Sequence, residues 1–372
     1  MKLIATTYQG LENVLAKEIT LLGGTKIKVL NRAVEYNGDL NLLYSSNYNL
    51  RTALRILKPL KSFYFKSPRD LYNNIYKLSW QEFFSSKYSI AVKVSGQTSI
   101  FKHSGYAALK AKDAIVDKFR FTKRIRPNVD KKNPQIIINL HFKNNKCDIS
   151  LDSSGEPLFK RGYRKQTIQA PLSEVLAAGL ILLSEWDKKM PFIDFMCGSG
   201  TIPIEAALIA TNTPPQILRK NFSFFFWKNF DSNLWKKILY SSKKNIISSK
   251  VKILASDKDP NAINITKKNI LNLPLKKLNF NIFISDFRTL NLKDSEYFII
   301  TNPPYNLRLK TDIKKLYKEL GDSLKKNFLP GSIAWIFTAN LQALKYIGLQ
   351  IKQRIVLYNG KNEARFIKIP LY

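Results

Sequence analysis

Thiols and imidazoles are scarce in this chain. Its 372 residues include two cysteines, Cys147 and Cys197, and two histidines, His103 and His141. Two cysteines exclude a disulfide framework, and four such side chains this far apart are a poor basis for a zinc or histidine-based metal centre. The sequence therefore predicts a metal-free protein, and we expect it to work in the cytoplasm.

Long hydrophobic runs are also missing. No stretch approaches the roughly 20 uncharged apolar residues that are needed to cross a bilayer. The first twelve residues, MKLIATTYQGLE, lack the apolar core and small-residue cleavage site of a secretory signal. We expect no membrane association, and the length predicts two or three domains.

Acidic residues are few. There are 27 Asp and Glu against 61 Lys and Arg, which gives a net charge of +34. A field of this sign favours polyphosphate partners and speeds their encounter. Richness in Ile and Asn indicates an AT-biased genome, which also inflates Lys, so single basic patches carry less information. No basic amphipathic anchor helix stands out, and the charge therefore favours nucleic acid over an anionic membrane.

The first 57 residues alternate short apolar strands with helical patterns. The predicted elements are a strand at 4–7, a helix at 11–22, strands at 28–30 and 33–36, and a helix around 40–46. This β-α-β-β-α order predicts a small ferredoxin-like α+β unit at 1–57.

A second block covers 58–155. It contains a strand at 89–95, a helix at 104–119 and a strongly β-forming run at 135–142. Residues 119–132, FRFTKRIRPNVDKK, are basic and loop-like. They fit a solvated linker and a phosphate contact equally well, since Arg binds phosphate in a bidentate manner.

The region 156–372 has the pattern of a doubly wound α/β domain. After a long apolar helix at 172–183, strands and helices alternate from residue 192 to residue 337. This alternation predicts a parallel sheet. Two further strands, at 350–357 and 365–371, have no helix between them and predict an antiparallel hairpin at one edge of that sheet.

A glycine-rich loop follows the first strand of this region, in the sequence DFMCGSGT at 194–201. We call residues 194–201 the cofactor loop. Glycines allow the backbone to approach a ligand closely, and the start of the next helix offers free amides. The spacing is neither GxGxxG nor a P-loop, which argues against a standard dinucleotide or a nucleoside triphosphate.

Acidic residues end the next two strands. Asp257 could accept both ribose hydroxyls of an adenosine, and Asp286 is suitably placed for the adenine amino group. A single Asp at such a position can also be a helix N-cap, and we prefer that interpretation for Asp259, which precedes Pro260.

The sequence Asn-Pro-Pro-Tyr at 302–305 ends the apolar strand 297–301, and we call residues 302–305 the acceptor motif. The Asn302 amide can accept a hydrogen from an amine, and Pro303 removes an N–H donor and leaves carbonyls as acceptors. Tyr305 offers a ring on which a base can stack. Alone, the motif fits a rigid turn. Together with the upstream cofactor loop it predicts methyl transfer to the exocyclic amine of a nucleobase.

Two other features have competing explanations. Cys197 could be the covalent nucleophile of a cytosine-C5 methyltransferase, but its place inside the cofactor loop favours packing. The aromatic run 222–227 could stack on RNA, yet we favour a packing role within the insertion between the first two strands of the third region.

The chain resembles the THUMP-domain Rossmann-like methyltransferases, and among these the large-subunit rRNA guanine-N2 enzymes of RlmL type. The resemblance runs the whole length. It rests on TYQGLE at 7–12, KHSGYAALKAKDAIVDKF at 102–119, RPNVD at 126–130, LDSSGEPLFKRGYR at 151–164, APLSEVLAA at 170–178, DFMCGSGTIPIEAA at 194–207, ASDKDPNAI at 255–263, TNPPYNLRL at 301–309 and LYNG at 357–360. One departure is Asn306, where the family commonly has Gly.

The resemblance implies a ferredoxin-like unit at 1–57, a THUMP RNA-binding domain at 58–155 and a Rossmann-like methyltransferase domain at 156–372. It also implies S-adenosylmethionine as cofactor and a monomer that acts on RNA. By position, the cofactor would be lined by Asp194, Gly198, Ser199, Gly200 and Thr201, with Asp257 on the ribose and Asp286 on the adenine. Asn302 and the Pro303 carbonyl would hold the guanine amine, and Tyr305 would stack on the base.

The substrate stays open among related possibilities. The resemblance favours 23S rRNA, while a tRNA guanine-N2 enzyme of the same group and an adenine-N6 enzyme use the same motif chemistry. A non-catalytic RNA-binding scaffold is the alternative outside the enzymes, and the intact Asp194, Gly198, Gly200, Asp257 and Asn302 argue against it.

Overall fold

A computed structural model describes residues 1–167, 171–271, 273–275, 278–304 and 313–372. Two seven-stranded mixed sheets organise these residues. The first has strand order β2-β3-β1-β4-β7-β6-β5, and the second has order β10-β9-β8-β11-β12-β14-β13. The predicted fold class, a doubly wound α/β domain that follows an α+β N-terminal half, is confirmed.

The first sheet and its helices comprise β1 Lys2–Thr6, α1 Glu12–Leu21, β2 Thr25–Leu30, β3 Ala33–Asn37, α2 Leu40–Asn49, β4 Arg55–Tyr64, α3 Pro68–Tyr76, β5 Ile90–Gln97, α4 Ser104–Lys123, β6 Ile136–Lys143 and β7 Lys146–Asp152. Strand β4 pairs with β1 on one side and β7 on the other, both antiparallel. The ferredoxin-like and THUMP parts therefore share one continuous sheet, and β4 crosses the boundary predicted at residue 57.

The second sheet and its helices comprise α5 Glu174–Leu183, β8 Phe192–Asp194, α6 Thr201–Ala210, α7 Ser232–Lys244, β9 Ser249–Asp257, α8 Pro260–Ile270, β10 Leu278–Ile284, β11 Phe298–Thr301, α9 Ile313–Asn327, β12 Ile333–Thr338, β13 Gln353–Asn359 and β14 Asn362–Pro370. Strands β10, β9, β8, β11 and β12 are parallel. Every residue of β8 and β11 is buried, as expected for parallel strands that helices cover on both faces.

The predicted edge hairpin is confirmed. Strand β14 runs antiparallel to both β12 and β13, and β13 is the outermost strand. Asn359 pairs with Asn362, so a two-residue turn joins the two strands, and Gly360 adopts a positive φ of 66° in it. Glycine is the residue that takes this conformation without steric cost.

Helix α4 continues four residues beyond its predicted end at residue 119, so the loop prediction for residues 120–123 is wrong. The buried stripe of Ala111, Ile115 and Phe119 continues at a spacing of four, and the helix ends where Arg124 adopts a left-handed conformation with φ of 55°. Phe121 in this last turn is 78% exposed.

The aromatic run at 222–227 packs in a core, as favoured, but the expectation that this core belongs to the insertion alone is wrong. Phe222, Phe224 and Trp227 join the hydrophobic core of the first sheet. The Phe224 ring stacks on Tyr44 of α2 with centroids 4.4 Å apart. The insertion therefore fastens the methyltransferase region onto the N-terminal half of the chain. We call residues 222–238, which make this contact, the aromatic plug.

A buried polar contact makes a second connection between the halves. Arg161 is 1% exposed, and its guanidinium donates to the main-chain carbonyls of Arg51 and Leu158. Tyr163 Oη donates to Glu205 Oε1 of α6 at 3.0 Å. Residues at the start of the methyltransferase region are thus fixed to the N-terminal half and to the helix that follows the cofactor loop.

Candidate active site

The cofactor loop is a tight turn between β8 and α6. The Cys197 amide donates to Ser256 O at 3.0 Å, and the Gly200 amide donates to Cys197 O at 2.8 Å. Gly198 and Gly200 have positive φ values of 55° and 81°. A Cβ on Gly200 would lie 2.6 Å from Thr266 Cγ2, so both conformation and space require glycine there.

Asp257 at the end of β9 holds this loop in place. Its Oδ2 accepts from the Gly198 amide at 2.9 Å, and its Oδ1 accepts from the Asp259 amide at 3.0 Å. The side chain is partly exposed. A carboxylate offers about four acceptor sites, so two hydroxyl groups can still bind beside these amides. The contacts are compatible with the predicted ribose role.

Asp194 is the buried acid at the base of the loop, with 1% exposure. Its Oδ1 accepts from the Met196 amide at 3.1 Å and from Thr301 Oγ1 at 2.9 Å. Burial raises the pKa of Asp194 to about 7, and the neighbouring Asp257 carboxylate adds to the rise. A cationic ligand beside this side chain would favour its charged form.

We expect Asp194→Asn to stabilise the cofactor-free protein increasingly as pH rises. The pKa of Asp194 rises from its ordinary value of 3.8 to about 7 on folding, so between those values the native state binds more protons than the unfolded state. Its contribution to the free energy of unfolding therefore falls with pH, by roughly 4 kcal/mol in total. Unfolding midpoints of both proteins at pH 5 and pH 8 test this; a difference that does not depend on pH would contradict it.

Ser199 and Thr201 are buried, and each has a hydrogen-bond partner that the sequence did not predict. Asn269 Nδ2 of α8 donates to Ser199 O at 3.0 Å, and Arg164 Nη2 donates to Thr201 Oγ1 at 2.8 Å. Arg164 belongs to the GYR stretch, which the sequence marks by resemblance without indicating a contact. Asn269 lies within a plain helical pattern, so no sequence signal could have identified it.

Asp286, beyond the end of β10, is ion-paired. Its Oδ2 lies 2.7 Å from Arg288 Nη1, and its Oδ1 accepts from the Arg288 amide at 3.0 Å. Arg288 also pairs with Glu319 of α9 at 2.6 Å. An adenine amino group at this carboxylate would share it with Arg288.

Asn302 follows β11 and presents the most informative atom of the site. Its Oδ1 is buried and has no hydrogen-bond partner anywhere in the described ranges. Pro303 beside it is buried too. Because Asn302 follows β11 at the carboxyl edge of the sheet, this oxygen is available to accept a hydrogen from a ligand bound there. Tyr305, the predicted stacking residue, lies outside the described residues.

Two alternatives from the sequence are now decided. Cys197 is 7% exposed and packs with Ala255 and Ile263. Burial raises the pKa of its thiol well above the ordinary value, so a reactive thiolate is disfavoured and the packing interpretation is confirmed. Asp259 is the N-cap of α8 and accepts from the Asn261 amide at 2.9 Å, as preferred.

The described site residues all follow the carboxyl ends of parallel strands. Asp194 ends β8, Asp257 ends β9 and Asn302 follows β11. Strand order reverses between β8 and β11, and open α/β sheets bind ligands at such a switch point. The residues described include no cluster of three or more His, Cys, Asp or Glu side chains that could hold a metal ion. No helix among them is long and apolar enough to cross a membrane.

Comparison with known families assigns all three parts of the chain. Residues 161–367 match the family described as RMKL-like, methyltransferase domain; residues 2–57 match the RlmL ferredoxin-like domain; and residues 65–152 match the THUMP domain. The glycine cradle and the partly exposed Asp257 carboxylate fit an adenosine-containing methyl donor. Fold and site together define a methyltransferase that uses S-adenosylmethionine.

Known relatives agree with this class. A putative RNA methyltransferase of Synechocystis is 34% identical and covers 99% of this chain and 96% of its own length. Ribosomal RNA large subunit methyltransferase K/L of Buchnera aphidicola (Schizaphis graminum) is 35% identical over 96% of this chain. A crystal structure of SMU.472, a putative methyltransferase complexed with SAH, is 26% identical, with a TM-score of 0.89 and coverage of 100% of this chain and 98% of that one.

The chain belongs to the family of RMKL-like methyltransferases with a THUMP domain, as the sequence predicted. It spans nearly the whole Synechocystis protein but only 52% of the Buchnera K/L protein.

Proposed function

We propose that this protein transfers a methyl group from S-adenosylmethionine to the exocyclic N2 of a guanine in RNA. Its preferred substrate in this proposal is 23S rRNA, on which it acts in the cytoplasm as a monomer. Support for the RNA comes from the net charge of +34, the THUMP domain and the names of the relatives described above. The domain division in this proposal is 1–57, 58–155 and 156–372.

The unpaired Asn302 oxygen is the observation that carries the chemistry. An amide oxygen is a hydrogen-bond acceptor, and an exocyclic amine supplies the N–H groups that it lacks. The Pro303 carbonyl would accept the second hydrogen of the same amine. Cys197, the candidate thiol nucleophile in this loop, is buried and disfavours covalent cytosine-C5 chemistry.

The remaining site residues would hold the cofactor. In this proposal Asp194, Gly198, Ser199, Gly200 and Thr201 line its methionine and adenosine parts. Asp257 binds the ribose hydroxyls and Asp286 the adenine amino group. When bound, S-adenosylmethionine supplies an electrophilic methyl group on its sulfonium.

Asn302 and Pro303 would activate the acceptor by positioning it. The lone pair of a guanine amine is delocalised into the ring, which makes the amine a poor nucleophile. Accepting both of its hydrogens favours a pyramidal nitrogen whose lone pair is directed outward. The help is therefore orientation and preorganised polarity, and no general base is required, since the proton leaves readily after alkylation. Tyr305 would stack on the base once it has left its helix.

A labelling experiment tests the acceptor and the RNA together. The full-length protein is incubated with methyl-labelled S-adenosylmethionine and undermodified rRNA or tRNA, and the RNA is digested to nucleosides. We expect label in N2-methylguanosine from large-subunit rRNA.

Other products would correct the proposal in defined ways. Label in N6-methyladenosine or 5-methylcytidine would refute the acceptor assignment. Label in N2-methylguanosine from tRNA alone would keep the chemistry and overturn the substrate. Salt-sensitive RNA binding without any transfer would favour the non-catalytic scaffold.

A further inference from the structure

The cofactor loop and the acceptor motif diverge from each other where β8 and β11 end. Backbone pairing between these strands covers Phe298 with Phe192 and Ile299 with Ile193. Beyond Ile193, strand β8 ends at Asp194 and leads into the cofactor loop. Beyond Ile299, strand β11 continues to the acceptor motif. The main-chain ladder therefore does not extend to the residues that would hold donor and acceptor.

One side-chain hydrogen bond continues the connection. Thr301 is fully buried, and its Oγ1 donates to Asp194 Oδ1 at 2.9 Å. Asp194 is the first residue of the cofactor loop, and Thr301 immediately precedes Asn302. The bond thus joins the base of the donor site to the base of the acceptor site, across the switch point of the sheet.

We propose that Thr301 is a positioning residue whose hydroxyl fixes the acceptor motif relative to the cofactor loop and keeps Asp194 ready to bind the cofactor. The first role rests on the proposed function, because it presupposes that Asn302 holds the acceptor. The second role concerns the cofactor alone.

The surroundings of Asp194 explain why this hydroxyl matters. The carboxylate faces another carboxylate, Asp257, from β9, and the Cys197 thiol from the loop. Burial raises the pKa of Asp194 to about 7, and the Asp257 carboxylate further disfavours its charged form. The Thr301 hydroxyl and the Met196 amide are the donors that lower the pKa of Asp194. Losing the hydroxyl should raise that pKa further, so that less carboxylate is present near neutral pH.

Thr301→Val and Thr301→Ser separate hydrogen bonding from packing. Valine keeps the branched shape without the hydroxyl, whereas serine keeps the hydroxyl. S-adenosylhomocysteine affinity is measured by calorimetry from pH 6 to pH 9 for each full-length protein. We expect the Val variant to bind about tenfold more weakly at pH 7, to approach normal affinity at pH 9, and to have its pH midpoint shifted upward. The Ser variant should follow the unmodified profile.

Turnover on the RNA substrate, at pH 9 and saturating S-adenosylmethionine, reports the other role. We expect kcat of the Val variant to stay reduced there, because the acceptor motif has lost its tie to the loop. An affinity profile of the Val variant that superposes on the unmodified one would overturn the cofactor role. Equal losses in Val and Ser would assign the effect to packing. If the Val variant does not fold, Thr301→Ala takes its place, with the same outcomes.

Failure of this inference can be told from failure of the proposed function. The affinity profiles need no RNA, so they stand whichever nucleoside carries the label. A shifted profile with label in a different nucleoside would keep Thr301 as a positioning residue and change only the acceptor.

Discussion

Asn302→Ala should lower the rate of methyl transfer on the order of 10²–10³-fold while S-adenosylmethionine binding stays nearly intact. The Asn302 oxygen is buried and unpaired, and in the proposed function it accepts a hydrogen from the reacting amine. Its contact strengthens as the nitrogen becomes pyramidal, so its removal acts mainly on the transition state. Loss of one such preorganised group costs on the order of 10²–10³ in kcat. Single-turnover transfer and calorimetry with the cofactor measure the two effects separately.

Asn340→Ala is a matched control for this variant. Asn340 also follows a strand of the same sheet, β12, and its Oδ1 accepts from the Ala343 amide at 3.0 Å. It is a partnered asparagine at a strand end, so its loss should leave turnover unchanged. Turnover of Asn302→Ala close to that of Asn340→Ala would remove Asn302 from the acceptor site.

Asp257→Ala should weaken S-adenosylmethionine binding strongly. Two ribose hydroxyls would lose a charged acceptor, at about 1–3 kcal/mol each. The Gly198 amide would also lose its partner at 2.9 Å, so the cofactor loop would lose one of the contacts that shape it. Both effects weaken cofactor binding, which precedes methyl transfer. Calorimetry should therefore show the loss of affinity without any RNA present.

Asp259→Ala is the control that distinguishes a binding effect of Asp257→Ala from a general loss of stability. Asp259 lies two residues further on and caps α8, so its loss should cost about 0.5–2 kcal/mol of stability. The cofactor affinity of this variant should be retained. Unchanged affinity in Asp257→Ala would eliminate the ribose assignment.

Much of the methyltransferase half could be predicted from the sequence because its determinants are local. Buried parallel strands such as β11 are short apolar runs, and site residues follow directly after them. The edge hairpin was also predicted, although its strands extend further toward each other than predicted, to the two-residue turn between Asn359 and Asn362. A polar residue directly after a strand at the switch point lies in the site, so its position in the sequence is enough to predict its location.

The sequence did not predict β4, because its apolar pattern is interrupted. Pro59 lies within this strand, and the register shifts between Pro59 and Lys61. Proline in a strand lacks an N–H for the ladder and argues against a strand assignment in sequence reasoning. The strand nevertheless forms, because β1 and β7 pair with it from both sides.

Long-range polar contacts were equally inaccessible. Arg164 reaches Thr201 and Asn269 reaches Ser199, each across dozens of residues of chain. The ion pair between Asp286 and Arg288 is local, but it too was not predicted, since it depends on the side-chain conformations of both residues. Such contacts are set by tertiary packing, which a single sequence does not encode as a recognisable pattern.

The aromatic plug has a consequence for the order of events during synthesis. The strands of the first sheet all leave the ribosome before residue 153, but part of their core is supplied by Phe222, Phe224, Trp227 and Trp235. Until these residues emerge, the nascent N-terminal half exposes the aromatic surface around Tyr44. Its final consolidation therefore waits for translation to pass into the methyltransferase region, and a chain released before that point would present an open hydrophobic surface to chaperones and proteases.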